Sequence, residues 1–152
     1  MNKDELKILA DKMAIQDTVT RYAHAVDTQN FDLLDQVFTQ DADLDYRQFG
    51  GIRGDRAQVK KWLQESRRML HYWHHLLSNI VIRIEGDMAS ARTDVHAVLG
   101  LPGEDSNAAV MHVGAYYSDE LVRGSDGWLI STRVFVPVWT DGNGAAGMEP
   151  KN

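Results

Sequence analysis

The sequence contains no cysteine. Disulfides, thiolate metal sites and cysteine nucleophiles are thereby excluded together, while the redox compartment is left open. No stretch approaches the roughly 18–20 consecutive apolar residues of a membrane-spanning helix. Met1 to Leu9 alternates charged residues with aliphatics and has no continuous apolar segment, so it does not read as a signal peptide. A cytoplasmic location is the expectation. Positive charge is in short supply: 16 Lys and Arg stand against 22 Asp and Glu, a formal net charge of −6. That balance argues against nonspecific nucleic-acid binding, which draws on an excess of cations. Phosphate-binding loops are missing too. Gly50, Gly51 and Gly54 lack the spacing of a dinucleotide fingerprint and the Lys-Ser/Thr of a P-loop, and no serine sits in a GxSxG elbow.

What is present reads as one domain. A chain of 152 residues with 43% apolar and 25% charged residues is long enough to bury a core without staples. Leu6, Leu9, Ala10, Met13, Val19, Tyr22 and Val26 recur at helical spacing and predict an amphipathic helix over residues 4–26. Asp27 to Asn30 breaks it, and Asn30 is placed to cap a short second helix through Phe38. Ala42, Leu44 and Tyr46 then alternate with Asp43, Asp45 and Arg47, the period of a strand. After the glycine turn, Asp55 and Gln58 form a capping box for a third helix ending near Leu70. The remainder reads as β: strands over 75–85, 88–99, 108–122 and 128–139, a loop over 101–107, and a loose Gly-rich tail from Thr140 to Asn152. Short turns between consecutive strands imply antiparallel pairing. Helices gathered ahead of the strands imply an α+β fold with the helices on one face of the sheet.

Several residues could carry chemistry. Asp27 follows the apolar stripe of the first helix, where the negative end of the helix dipole disfavours a carboxylate by a few tenths to about 1 kcal/mol. Solvent, a cation or a histidine must compensate; the plain alternative is an exposed Asp opening a turn. Three of the six histidines fall in His71-Tyr72-Trp73-His74-His75 at a strand entry. In an extended chain His75, Leu77 and Asn79 share one face while His74 and Leu76 take the other, so one member of the adjacent pair faces inward. A metal reading would use His71 and His74, but no acidic residue lies nearby to complete a set. Tyr22 and Tyr46 are candidate hydrogen-bond donors or simply packed phenols. Arg133 sits in the last strand between two possible faces; inward it needs an anionic or carbonyl partner, outward it is a solvated charge. His112 is a further candidate for a pocket lining.

The order of Ile15-Gln16-Asp17, Tyr22-Ala23, Val26-Asp27, Asn30-Phe31-Asp32-Leu33-Leu34, Phe38 and Asp41-Ala42 resembles a known family, as do Gly50 to Gly54 before a helix, His75 with Asn79, and Asp126-Gly127-Trp128-Leu129-Ile130 with Arg133. Over residues 5–139 these resemble the nuclear transport factor 2-like superfamily, in particular its SnoaL-like branch. That resemblance implies a cone: a strongly curved, mainly antiparallel sheet around an apolar pocket closed by N-terminal helices. Within the branch the chain is most similar to scytalone dehydratase, bile-acid 7α-dehydratase and hexachlorocyclohexane dehydrochlorinase. What the similarity implies is an Asp–His dyad on Asp27 and His75, a catalytic tyrosine on Tyr46 with Tyr22 beside it, and a basic residue on Arg133. It further implies a pocket touching His112, Trp73, Asn79 and Phe135. Val26 stands where scytalone dehydratase has a second tyrosine, and Trp73 where smaller residues are common, so the expected substrate is not scytalone. The implied activity is that of a lyase of the dehydratase type, without metal or organic cofactor, on a small apolar, aromatic or polyketide-like cyclic molecule. A cyclase or isomerase using the same dyad, a noncatalytic binder and a small subunit of a ring-hydroxylating dioxygenase are the alternatives. Neither nucleic acid nor membrane is an expected partner; a homo-oligomer, a trimer before a dimer, is.

Overall fold

A computed structural model describes residues 1–101 and 109–142. Helix α1 runs Lys3–Asp27 and starts at a capping box in which the Asn2 side chain accepts from the Glu5 N–H and the Glu5 side chain from the Asn2 N–H. It ends where Thr28 turns its hydroxyl onto the His24 carbonyl and Gln29 enters the left-handed region at φ 59°. A 3₁₀ turn, Phe31–Gln36, follows, shorter than the helix the spacing suggested. Asn30 precedes it but makes no side-chain cap.

Strand β1, Phe38–Asp45, starts earlier than the alternation indicated and stops one residue short of Tyr46. The glycine turn contains a two-residue strand β2, Arg53–Gly54, and α2 spans Arg56–Arg67 behind the Asp55–Gln58 capping box. Then come β3 (Tyr72–Glu85), β4 (Met88–Leu101), β5 (Ala109–Gly124) and β6 (Gly127–Gly142). The last strand therefore continues through Thr140–Gly142, which the sequence reading assigned to a loose tail. The expected loop beyond Leu101 and the tail beyond Gly142 lie outside the described residues.

The fold is α+β, as expected. One six-stranded sheet has the order β2-β1-β6-β5-β4-β3; β1 pairs in parallel with β6 and every other neighbour is antiparallel. The sheet is curved and does not close into a barrel. Irregular register interrupts β3 between Ser78 and Val81, and β5–β6 between Gly114 and Ala115 and between Glu120 and Leu121. Such bulges bend long strands and switch which face a side chain takes. α1 supplies Ile15, Val19, Tyr22 and Val26 to a core completed by Phe38, Leu44, Tyr117, Leu121 and Ile130. No helix among the described residues is long and apolar enough to cross a membrane.

α1 is fastened to the far end of the sheet by a buried carboxylate. Asp11 accepts both Arg123 amino groups, at 2.5 and 2.7 Å, and the Trp128 indole N–H at 3.1 Å. The Arg123 hydrogen bond, aided by that of Trp128, outweighs burial and holds the Asp11 carboxyl at about 2, below its ordinary 3.8. A lowered folded-state pKa means the contribution is complete above about pH 4 and disappears as pH falls toward 2. Asp11→Asn should therefore cost about 2 kcal/mol at neutral pH. Urea unfolding at pH 7 and pH 3 checks this: the gap between wild type and variant should narrow at the lower pH.

Candidate active site

The end of α1 meets the start of β3. His75 Nδ1 lies 2.5 Å from Asp27 Oδ1, and the His75 backbone N–H donates to Asp27 Oδ2 at 2.9 Å. Both carboxylate oxygens are thus spent on one residue 48 positions away. The compensation that a carboxylate at a helix C-terminus demands is a histidine. With the Nδ1–H given to Asp27, the neutral tautomer leaves a lone pair on Nε2. No hydrogen bond reaches Nε2 among the described residues. The side chains are 10% (His75) and 19% (Asp27) exposed, so the pair is sheltered but reachable.

His75 forms part of the wall of an apolar cavity of about 360 Å³ between the sheet, α1 and α2. That size suits a small ring system. Most of the lining is aromatic or aliphatic, with Trp62, Trp73, Phe49 and Phe135 among the rings. Gly51 lets the chain pass close to it: a Cβ there would stand 2.7 Å from the Trp62 ring and 2.8 Å from Tyr46 Cβ. Among the described residues no Lys or Arg lines the cavity. Among those residues its polar side chains are His75, Ser66, the phenols of Tyr22, Tyr46 and Tyr117, and the indoles of Trp62 and Trp73.

The phenols form a group. The Tyr46 and Tyr22 hydroxyls are 3.1 Å apart, and the Tyr22 ring meets the rings of His75 and Tyr117 edge-on. Burial pushes all three phenols above their ordinary pKa, so they stay protonated and act as O–H donors. Arg133 lies behind them, fully buried. Its Nε and Nη2 hold Asp119 at 2.7 Å each, and its guanidinium carbon sits 3.9 Å above the Tyr117 ring and 4.4 Å above that of Tyr22. Burial opposes the guanidinium's charge, but the Asp119 carboxylate outweighs it and keeps Arg133 protonated.

The structure brings together Asp27, His75, Tyr22, Tyr46, Trp73 and Phe135 of the residues singled out from sequence. Three expectations are corrected. Asn79 is exposed at the β3 bulge, in the left-handed region at φ 49°, and binds Asp94; the bulge shifts the inward positions from odd to even residues beyond it. His112 does not line the cavity but pairs with His96, Nδ1 to Nε2 at 3.0 Å, beside Trp139. Arg133 faces inward yet is shielded from the cavity by rings, so it does not touch a ligand there. His71 and His74 are both exposed, and no group of three or more potential metal-ligating His, Asp or Glu assembles among the described residues.

Sequence reasoning missed Asp119, Tyr117 and Trp62. A signal for Asp119 was available, since Tyr117, Asp119 and Leu121 alternate on one face of β5, directly opposite the inward positions of β6.

A family model described as a SnoaL-like domain matches residues 7–134. An uncharacterized protein of Mycobacterium tuberculosis is 37% identical over 126 residues, covering 83% of this chain and 84% of that protein. Among solved structures, a protein from Kribbella flavida is 25% identical with a TM-score of 0.81, over 88% of this chain and 95% of the other. A candidate aromatic ring hydroxylase from Novosphingobium aromaticivorans is 26% identical with a TM-score of 0.79, over 93% and 98%. A type 2 hexachlorocyclohexane dehydrochlorinase shares the fold at 20% identity and a TM-score of 0.76, over 91% and 92%.

Proposed function

We propose that this chain, which belongs to the SnoaL-like domain family, is a lyase of the dehydratase type acting on a small, uncharged cyclic ketone. The observation that carries this reading is the Asp27–His75 pair in the wall of an apolar cavity, where among the described residues Nε2 has no partner and no Lys or Arg lines the space. Such a cavity offers no cation to a carboxylate or phosphate, and it strengthens every dipole aimed into it.

The chemistry follows from the groups present. His75 Nε2 removes a proton from the carbon beside the carbonyl. Asp27 keeps the ring in the Nδ1–H tautomer and stabilises the imidazolium. Negative charge builds on the carbonyl oxygen, where a buried phenol O–H is a matched donor. The electron pair then returns to form the carbon–carbon double bond and expels hydroxide from the next carbon. Hydroxide leaves as water with the proton His75 holds, which restores the neutral ring. Atoms and charge balance with no external oxidant, reductant or metal.

The test is a panel of cyclic β-hydroxy ketones incubated with the purified protein and followed by mass spectrometry. Loss of water from one member, dependent on His75, is the expected result. A product of unchanged mass would replace elimination by isomerisation, and binding without any consumption across the panel would overturn the enzymatic reading.

A further inference from the structure

The inward face of α2 runs through Val59, Trp62, Leu63 and Ser66, the i, i+3, i+4, i+7 spacing of one helical stripe. The last three line the cavity, and Ser66 is the one hydroxyl in a row otherwise apolar or aromatic. That hydroxyl is unspent. Helical Ser and Thr commonly turn the hydrogen onto the carbonyl four residues back. Thr18 and Thr28 do so, at 3.1 and 2.7 Å from the carbonyls of Ala14 and His24. Ser66 makes no such bond, and among the described residues no other group reaches its Oγ. Nor is the oxygen sealed off: among the described residues the buried hydroxyls without partners are those of Thr39 and Thr93. A polar group that faces an apolar space without a partner costs free energy that a bonded one does not. The missing partner is a group that enters the cavity.

The place of Ser66 in the fold decides what that group is. Ser66 lies in the last turn of α2, where its carbonyl accepts from the Met69 N–H at 3.1 Å. Met69 lines the cavity yet is 65% exposed, so it stands at the rim. His75 belongs to a different wall, at the start of β3. A ligand whose reacting carbon lies against His75 meets Ser66 with another part of its frame, on the side of the opening. The C-terminal end of a helix is the negative end of its dipole, which favours a ligand group that brings a hydrogen over a bare carbonyl. A hydroxyl meets that condition, and serine can both accept from it and donate to it. We propose that Ser66 is a specificity-determining residue: it selects cyclic ketones that carry a hydroxyl remote from the carbon His75 deprotonates.

The inference rests on the reading that a cyclic ketone occupies the cavity, but its test needs no turnover. The probes are 4-phenylcyclohexanone and its 3-hydroxyphenyl and 4-hydroxyphenyl counterparts, none of which has a hydroxyl to eliminate. Calorimetric titration gives a Kd for each. In the wild type at least one hydroxyphenyl ketone should bind about fivefold tighter than the parent, the weight of one neutral hydrogen bond. In Ser66→Ala the three should bind alike, and Ser66→Thr, which keeps a hydroxyl, should restore the preference. The ratio between probes is the readout, because a serine with a merely structural role would shift all three affinities together. Three results would overturn the proposal: no binding of any probe, no preference in the wild type because water alone satisfies the serine, or a preference that survives Ser66→Ala. If the preference comes and goes as expected while no β-hydroxy ketone is dehydrated, the lyase reading fails and the selecting role of Ser66 stands. Dehydration by a protein whose probe preference ignores Ser66→Ala separates them the other way.

Discussion

Turnover by His75→Ala is expected to fall about 10³-fold or more, with the fold intact. Among the described residues of the cavity wall the imidazole is the side chain suited both to take a proton and to return it, and a positioned base of this kind contributes roughly 10²–10⁴-fold. The loss should not unfold the chain, because Asp27 keeps its bond to the backbone N–H of residue 75 at 2.9 Å and is not left as an orphaned charge. Asp27→Asn is the more informative companion. The amide keeps the shape of the carboxylate, but it no longer stabilises the imidazolium and no longer dictates which ring nitrogen is protonated. A loss of about 10²-fold or more is expected. Nitrogen-15 spectra of the ring report the tautomer directly: Nδ1–H in wild type, and a mixture in Asp27→Asn. The checks are initial rates on whichever β-hydroxy ketone is dehydrated, with circular dichroism alongside. Rates unchanged in His75→Ala would remove the dyad from the mechanism.

The second large effect is on stability. Arg133→Ala should destabilise the fold by about 3–5 kcal/mol, because it strands Asp119 as an unpaired charge in the interior. Asp119→Ala should cost a similar amount for the converse reason. Folded domains hold only about 5–15 kcal/mol in reserve, so either change puts the protein near its unfolding threshold. Removing both charges together is a different experiment. Asp119→Leu/Arg133→Met deletes the ion pair and its desolvation cost at once, and the double variant should recover most of what each single variant loses. Urea midpoints with unchanged slopes measure all three. Single variants as stable as wild type would show that the two side chains are not confined with each other.

The elements and most of the candidate site were legible because they depend on local pattern. Helical spacing from Leu6 to Val26 gave α1 to within a residue at each end, and the Asp55–Gln58 cap gave the start of α2, which ends at Arg67 rather than near Leu70. The strand alternations and turn glycines gave β3 to β6. Resemblance then paired Asp27 with His75, and the structure places them in contact. The failures share one cause. Asn79 was assigned a face by counting in twos from His75, and the irregularity between Ser78 and Val81 changes that count. Arg133 could not be assigned a face at all, because Ser131 is the extra residue where β6 slips against β5, and only after it do Arg133 and Phe135 turn inward.

Charge, length, the run of elements and the helix-end carboxylate in need of a partner were properties of the chain alone. They follow from interactions reaching no further than a turn or two, and composition or spacing records those. Which charges are buried, which phenols meet and which histidine sees the cavity were decided by the folded sheet. Bulges set the facing of side chains through register between distant strands. The partner of Arg133 is 14 residues away on β5 and that of His75 is 48 residues away on α1. Contacts of that range leave no periodic trace in the sequence, so only the three-dimensional arrangement brings a histidine and a helix-end carboxylate together at the wall of a cavity.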